Sequence, residues 1–254
     1  MRFASLGSGS EGNALLVEAG RTRVMMDCGF GLNDSIARLA RLGLLPEQLN
    51  GIVVSHEHGD HIGGVLRLAR KFGLPVWLTH GTLRGHAGMA AAPVINEIDP
   101  HRAFSIGDIE IIPYPVPHDA AEPVQFVFSD GVRRLGVLTD SGCGTPHIRQ
   151  TLDGCHALVL ECNHDSDMLM NGAYPYQLKQ RVAGRLGHLS NAAAAGILQQ
   201  LDRSRLQHLI AAHLSGNNNT AELAVRALSG VLDCAPEWIG VATQGAGFDW
   251  REIT

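Results

Sequence analysis

The chain has 254 residues, 45% hydrophobic and 18% charged, with no low-complexity tract, which suits a compact globular protein of one domain or two small ones. Its 25 acids against 20 bases give a net charge of -5, which argues against a whole surface built to grip nucleic-acid backbone but leaves room for a local basic groove. The odd count of 5 cysteines, none in a CxxC pair, indicates neither a disulfide framework nor a thiolate zinc cage, and no apolar run is long enough for a signal peptide or membrane span, so a soluble, cytoplasmic protein is expected.

In chain order, short apolar stretches at Arg2 to Leu6, Asn13 to Glu18 and Arg23 to Asp27, divided by Gly-rich turns, predict adjacent antiparallel strands. Helical spacing follows at Ile36, Leu39 and Ala40, and again at Val65, Leu68, Ala69 and Phe72, where Arg67, Arg70 and Lys71 fall on the opposite face. Between these helices the run Gly51 to Ser55 reads as a buried strand. Further strands are predicted at Pro75 to Leu78, Ile109 to Tyr114, Val124 to Phe128, Leu135 to Leu138, Ala157 to Leu160, Leu209 to Ala212 and Trp238 to Val241, with helices over 176 to 184, 190 to 201 and 219 to 232. Strands and helices alternate in both halves with no linker between them, so one layered α/β domain over 1–254 is expected.

The run His56-Glu57-His58-Gly59-Asp60-His61 sits where a strand gives way to a helix. It places three imidazoles and a carboxylate within about one turn, a set that suits Zn, Mn or Fe better than Ca or Mg. Alternation at the strand end turns His56 and His58 to one side, while Asp60 and His61 begin the helix and address a neighbouring position, so two adjacent metal sites follow. Glu57 points away from its histidine neighbours and is expected either to support a ligand from outside or to be structural.

This run resembles the His-x-His-x-Asp-His motif of the metallo-β-lactamase superfamily, which implies a four-layer αββα sandwich. The superfamily places a further His, an Asp and a last His at later strand ends, positions matched here by His118 in Val-Pro-His-Asp, Asp140 in Leu-Thr-Asp-Ser-Gly and His213 in Ala-Ala-His-Leu-Ser. The resemblance implies that His56, His58 and His118 hold one metal, that Asp60, His61 and His213 hold another, and that Asp140 bridges them. Two cations about 3.5 to 4 Å apart lower the pKa of a shared water and neutralise charge in the transition state. Asp60 can both ligate and orient the nucleophile.

A metal site alone names no substrate. Lys179, Arg181, Arg185 and His188 precede a helix beginning near Ser190, an arrangement suited to phosphate, although Ser190 equally serves as an N-cap and the arginines equally suit a solvated helix face. Ser-Gly-Ser-x-Gly-Asn at 8 to 13, Glu161-x-Asn163-His164-Asp165, Gly-His-Leu-Ser-Asn at 187 to 191, and His213-Leu-Ser with Asn217-Asn218 resemble the YycJ/WalJ group nearly end to end. That resemblance implies a 5′-to-3′ exonuclease acting on DNA, with His188 as general acid or phosphate contact, matching a histidine of RNase Z. His164, Ser190, Asn217, Lys179 and Arg181 are candidate substrate contacts. No long insertion separates Asp140 from His213, so no β-CASP clamp domain and no tRNA-gripping arm is expected.

Three other readings compete. Gly7 to Gly12 spells GxGxxG after a strand, with Asp27 about 20 residues from Gly7 as in dinucleotide-binding proteins, but the following segment is too short for a crossover helix and a hairpin loop is expected instead. A small-molecule hydrolase (cyclic phosphodiesterase, lactonase or thioesterase) would use the same two metals in a narrower pocket. A purely structural or ion-sensing role fits an open ligand set least.

Overall fold

The computed structural model of the protein describes residues 1–254. In chain order its strands are β1 (Arg2–Gly7), β2 (Ala14–Ala19), β3 (Thr22–Met26), β4 (Gly51–Val53), β5 (Val76–Thr79), β6 (Ile95–Ile98), β7 (Phe104–Ile106), β8 (Ile109–Pro115), β9 (Val124–Ser129), β10 (Arg134–Leu138), β11 (Ala157–Glu161), β12 (His208–Ala212), β13 (Gly240–Val241) and β14 (Phe248–Glu252). The helices are α1 (Leu32–Arg41), α2 (Gly59–Ile62), α3 (Val65–Phe72), α4 (His80–Gly85), α5 (Pro146–Leu152), α6 (Ser166–Asn171), α7 (Tyr176–Val182), α8 (Asn191–Gln199) and α9 (Ala221–Leu232).

Two seven-stranded sheets result, ordered β14-β1-β2-β3-β4-β5-β6 and β13-β12-β11-β10-β9-β8-β7. Each is antiparallel over four strands and parallel over the rest, β3 to β6 in one and β10 to β13 in the other. Parallel neighbours need crossovers, and helices supply most of them on the outer faces. The period-2 pattern decides which side chain goes where. On β2, Leu15 and Val17 join Phe3, Val53, Phe126 and Val159 between the sheets, while Leu16 packs outward with Met25, Ile52, Leu39 of α1 and Leu68 of α3. On β11, Val159 faces the other sheet, whereas Leu158 and Leu160 meet Ile197 of α8 and Leu228 of α9. Three apolar layers between four layers of elements make the αββα sandwich. No helix is long and apolar enough to cross a membrane.

The long internal strands lie close to their predicted places. Gly7 to Gly12 joins β1 to its antiparallel partner β2 as a hairpin connection, so the dinucleotide-binding reading lacks its crossover helix. The predicted strand at Trp238 to Val241 is reduced to the two residues of β13, because Pro236 starts a 3-10 turn that runs to Trp238. Strands β6, β7 and β14 are additional. All of these, like β13, are edge strands, whose single neighbour asks for little alternation. Helices α4, α5 and α6 are additional too, each with six or seven residues, too few to display a full amphipathic period.

Candidate metal centre

The candidate ligands gather at one end of the sandwich because each follows a strand. His56 and His58 lie between β4 and α2, Asp60 and His61 lie in α2, and His118, Asp140 and His213 follow β8, β10 and β12. Asp27, Asp140 and His213 have φ of 59°, 53° and 54°, a left-handed conformation that turns the chain sharply as it leaves the sheet. Non-glycine residues adopt it at a cost of about 1 to 3 kcal/mol and persist where surroundings impose it, as at functional sites.

Two groups of ligand atoms form. In the first, His58 Nδ1 lies 3.1 Å from His56 Nε2 and 3.2 Å from His118 Nε2. The opposite ring nitrogens are occupied: His118 Nδ1 faces the Gly187 carbonyl at 3.2 Å, and His56 Nδ1 lies 2.9 Å from Ser55 Oγ, which itself donates to Asp27. Those contacts place the protons on Nδ1, so the Nε2 lone pairs of His56 and His118 converge beside His58. In the second, Asp60, His61 and His213 meet, with His61 Nε2 3.3 Å from Asp60 Oδ2 and His213 Nε2 3.5 Å from it. Asp140 stands between, Oδ2 at 3.3 Å from His61 Nε2 and Oδ1 at 3.3 Å from His213 Nε2. Asp140 also groups with His56 and His61.

These residues fit divalent cations. Asp140 Oδ2 and His213 Nε2 are buried with no hydrogen-bond partner, an expensive condition that a coordinated ion relieves. The nitrogen and oxygen donors suit Zn, Mn or Fe. Asp27, Asp60, Asp140 and Glu161 concentrate negative charge, and none pairs with a lysine or arginine. The titration pattern reflects that field. Burial works against the charged forms of Asp60, Asp140 and His61, yet opposite charges prevail: His213 and His61 hold Asp60 and Asp140 well below the usual carboxylate range, while Asp140 and Asp27 raise His61. Burial lowers His56 and His118, which keeps their imidazoles neutral and ready to ligate.

Beside the second group, His188 Nδ1 lies 2.8 Å from Glu161 Oε1. Glu161 is fully buried, and its Oε2 accepts from Leu189 N at 3.0 Å and Ser141 N at 3.2 Å, so the carboxylate is locked. Although burial opposes it, Glu161 followed by Asp140 pushes His188 up to about 9, which favours its protonated form in the metal-free protein. A cavity of about 230 Å³ opens here, lined by His58, Asp60, His118, Asp140, His188 and His213 together with Asp119 and Arg181.

The predicted substrate residues divide. Arg181 lines the cavity, its Nε 2.6 Å from Asp119 Oδ2. Lys179 does not, because its Nζ turns to the Met170 carbonyl at 2.8 Å. Ser190 caps α8 by accepting from Ala193 N at 3.1 Å, Asn217 Nδ2 donates to Tyr174 OH at 3.2 Å, and His164 is buried; none of the three lines the cavity. Arg185 is exposed and is not among the residues that line it. Glu57 reaches across to accept from Ala121 N at 2.7 Å, which ties the loop after His118 to the motif.

Three supporting residues are absent from the expected site: Asn13 and Glu161, which enter only as members of resembling motifs, and Asp27, which enters only in the dinucleotide-binding alternative. Their signal was present, since Asp27 and Glu161 are acids at the ends of apolar strands, as the ligands are.

A family model described as a β-lactamase superfamily domain matches residues 22–213. An exodeoxyribonuclease YycJ from Bacillus anthracis is 35% identical, covering 92% of this chain and 89% of that protein. An exodeoxyribonuclease WalJ from Streptococcus pneumoniae is 31% identical, covering 94% and 91%. Among solved structures, the metallo-β-lactamase-fold protein YhfI from Bacillus subtilis has a TM-score of 0.74 at 16% identity over 98% of each chain. Zinc-bound PqqB from Methylobacterium extorquens has a TM-score of 0.74 at 15% identity, covering 99% of this chain and 100% of that one. With its αββα sandwich and its strand-end cluster of histidines and aspartates, the chain belongs to the metallo-β-lactamase superfamily and, within it, to the YycJ/WalJ family of hydrolases.

Proposed function

We propose that this chain is a metal-dependent phosphodiesterase that degrades DNA from an end, in the 5′-to-3′ direction. The observation that carries the reading is His188, whose Nδ1 is fixed by a buried glutamate on the wall of the cavity onto which the ligand groups open. The relatives named as exodeoxyribonucleases support the choice of DNA.

In this reading His56, His58 and His118 would hold one ion and Asp60, His61 and His213 a second, with Asp140 available to both. Two divalent ions, Zn or Mn with Fe also suited to the donors, would acidify water and neutralise charge on the phosphate. Asp60, whose side chain is 24% exposed toward the cavity, orients the attacking water by accepting its hydrogen bond. His188 Nδ1 is held by Glu161, which leaves Nε2 to donate to a phosphate oxygen or the leaving alcohol. Arg181, paired with Asp119, offers a guanidinium among the residues that line the same cavity. Between β10 and β12 the chain inserts only β11 and short helices, so we assign 1–254 to one catalytic domain with no clamp domain at that point, and strand grip falls to α7 and its neighbours. The five free cysteines suit a reducing compartment, the cytoplasm.

The modest cavity of about 230 Å³ favours a second reading, a hydrolase of small diesters or lactones. Metal-loaded wild type, His58→Ala and His188→Ala assayed on 5′- and 3′-end-labelled DNA, a bis-aryl phosphate and a lactone panel separate the two. The expected result is cleavage of DNA and aryl diester, abolished in His58→Ala and reduced about 10² to 10⁴-fold in His188→Ala. Lactone turnover without diester cleavage overturns the proposal, and unchanged activity in His58→Ala overturns the ligand assignment.

A further inference from the structure

The loop Ser8 to Asn13, between β1 and β2, contains none of the ligand residues, yet its hydrogen bonds reach all three members of one ligand group and none of the other. Ser8 Oγ accepts from the backbone N–H of His213 at 2.9 Å and donates to Asn13 Oδ1 at 3.1 Å. Asn13 Nδ2 lies 3.3 Å from Asp60 Oδ2 and 3.2 Å from His61 Nε2, and the Asn13 backbone N–H donates to the Asp60 carbonyl at 2.8 Å. His56, His58 and His118 receive no hydrogen bond from the loop. A second anchor fixes the loop from the far end of the chain, where Gln244 accepts from Glu11 N at 2.8 Å and donates to the Gly12 carbonyl at 2.9 Å.

The local sequence is built for this. Gly9 and Gly12 have φ of +149° and +153°, and a Cβ at Gly9 would stand 2.5 Å from Gln244 Oε1. The sharp path lets Asn13 satisfy its own loop, with Oδ1 accepting from Gly9 N at 2.9 Å and Nδ2 donating to the Gly9 carbonyl at 2.9 Å. Asn13 and Ser8 are both buried, so their orientations are not set by water. An aspartate at 13 would lose both amide donors and add a negative charge against Asp60. A serine or alanine would lose the reach.

We infer that the Ser8 to Asn13 loop is the positioning element of the Asp60, His61 and His213 site, with Asn13 aiming the Asp60 carboxylate and Ser8 fixing the His213 backbone, so that it sets the affinity of that site separately from its neighbour. The inference rests on the two-site reading given above. Outer partners of ligands govern metal affinity by about 10 to 100-fold, because an unaimed ligand must be ordered when the ion binds. One loop serving one site gives the pair two independently tuned affinities.

The test is metal stoichiometry and stepwise affinity, measured by competition with a chromophoric chelator for Zn and Mn, in wild type, Asn13→Ala, Asn13→Asp and Ser8→Ala. Thermal unfolding of each metal-free protein accompanies it. The expected result is that one of two ions weakens about 10 to 100-fold in Asn13→Ala while the other is unchanged, with a smaller selective loss in Ser8→Ala. Equal weakening of both ions together with a drop in metal-free Tm would mean a merely structural loop and overturn the inference, as would unchanged affinities in every variant. A wild type that binds a single ion instead overturns the two-site reading and the inference with it, whereas two ions bound without any diester cleavage overturns only the proposed activity.

Discussion

Asp27 Oδ2 lies 2.8 Å from Nδ1 of His61, and the same side chain accepts from Ser55 N and Ser55 Oγ, each at 2.8 Å. Since a carboxylate accepts only, Asp27 holds a proton on His61 Nδ1, so Nε2 is the nitrogen turned to the site and the one that would ligate an ion. Ser55 Oγ in turn faces His56 Nδ1, so a single buried acid orients a ligand of each group. Asp27→Asn is expected to keep the fold and to lower metal affinity about 10 to 100-fold at both sites, measured by chelator competition. Its metal-free form should lose about 1 to 3 kcal/mol in urea unfolding, because a buried acceptor set is disturbed. Unchanged metal affinity would show that Asp27 does not set the tautomers.

The His188 and Glu161 pair predicts a pH dependence for the metal-free protein. The His188 pKa is raised, against the effect of burial, to about 9 by Glu161 and Asp140. A raised pKa contributes stability that is fully present below the unfolded value of about 6.5 and lost as pH rises through the folded one. Urea unfolding in the presence of chelator should therefore lose roughly 1 to 3 kcal/mol between pH 6.5 and 9. His188→Gln should reduce that slope, leaving the part contributed by His61 and His213, which, against the effect of burial, Asp140 also raises. A slope identical to wild type in the variant would assign the dependence to other groups.

Arg181 and Lys179 lie two positions apart on α7 but differ in what they face. Arg181 borders the cavity beside Asp119, while Lys179 is tied to the Met170 carbonyl. Arg181→Ala should raise the KM for DNA about tenfold and reduce the slope of log KM against log salt by about 1, the signature of one lost phosphate contact. Lys179→Ala should leave both unchanged. Because the Arg181 side chain is 64% exposed, losing its ion pair should alter stability by less than about 1 kcal/mol. Equal effects from both variants would point to general surface charge.

The cysteines offer a check on packing. Burial pushes the thiols of Cys28 and Cys155 up to about 11 and that of Cys162 higher still, whereas Cys143 and Cys234 are only partly buried. A disulfide reagent at neutral pH should label at most two thiols in the native protein and five after unfolding. Rapid reaction of a third thiol would show that one of the layers opens.

What could be read from the chain without a structure was whatever rests on local patterning. Internal strands such as β2 and β11 are legible because both of their faces are buried and apolar on either side. The edge strands β6, β7, β13 and β14 are not, because an edge is set by the neighbour it finds. Likewise the run from His56 to His61 is concentrated enough to announce a metal site by itself. His118, Asp140 and His213 are isolated residues, singled out through a family likeness, and only the closing of two sheets carries their strand ends to within ligand distance. The supporting residues depend most on the fold. Asn13 and Glu161 stand out only as parts of resembling motifs, and Asp27 reads as an ordinary acid, until the hairpin after β1, the left-handed turn after β3 and the end of β11 bring them against Asp60, His61 and His188. The cations were legible in type but not in direction, since a helix of seven residues with no buried side chain gives no periodicity from which to tell that Arg181 faces inward and Lys179 away.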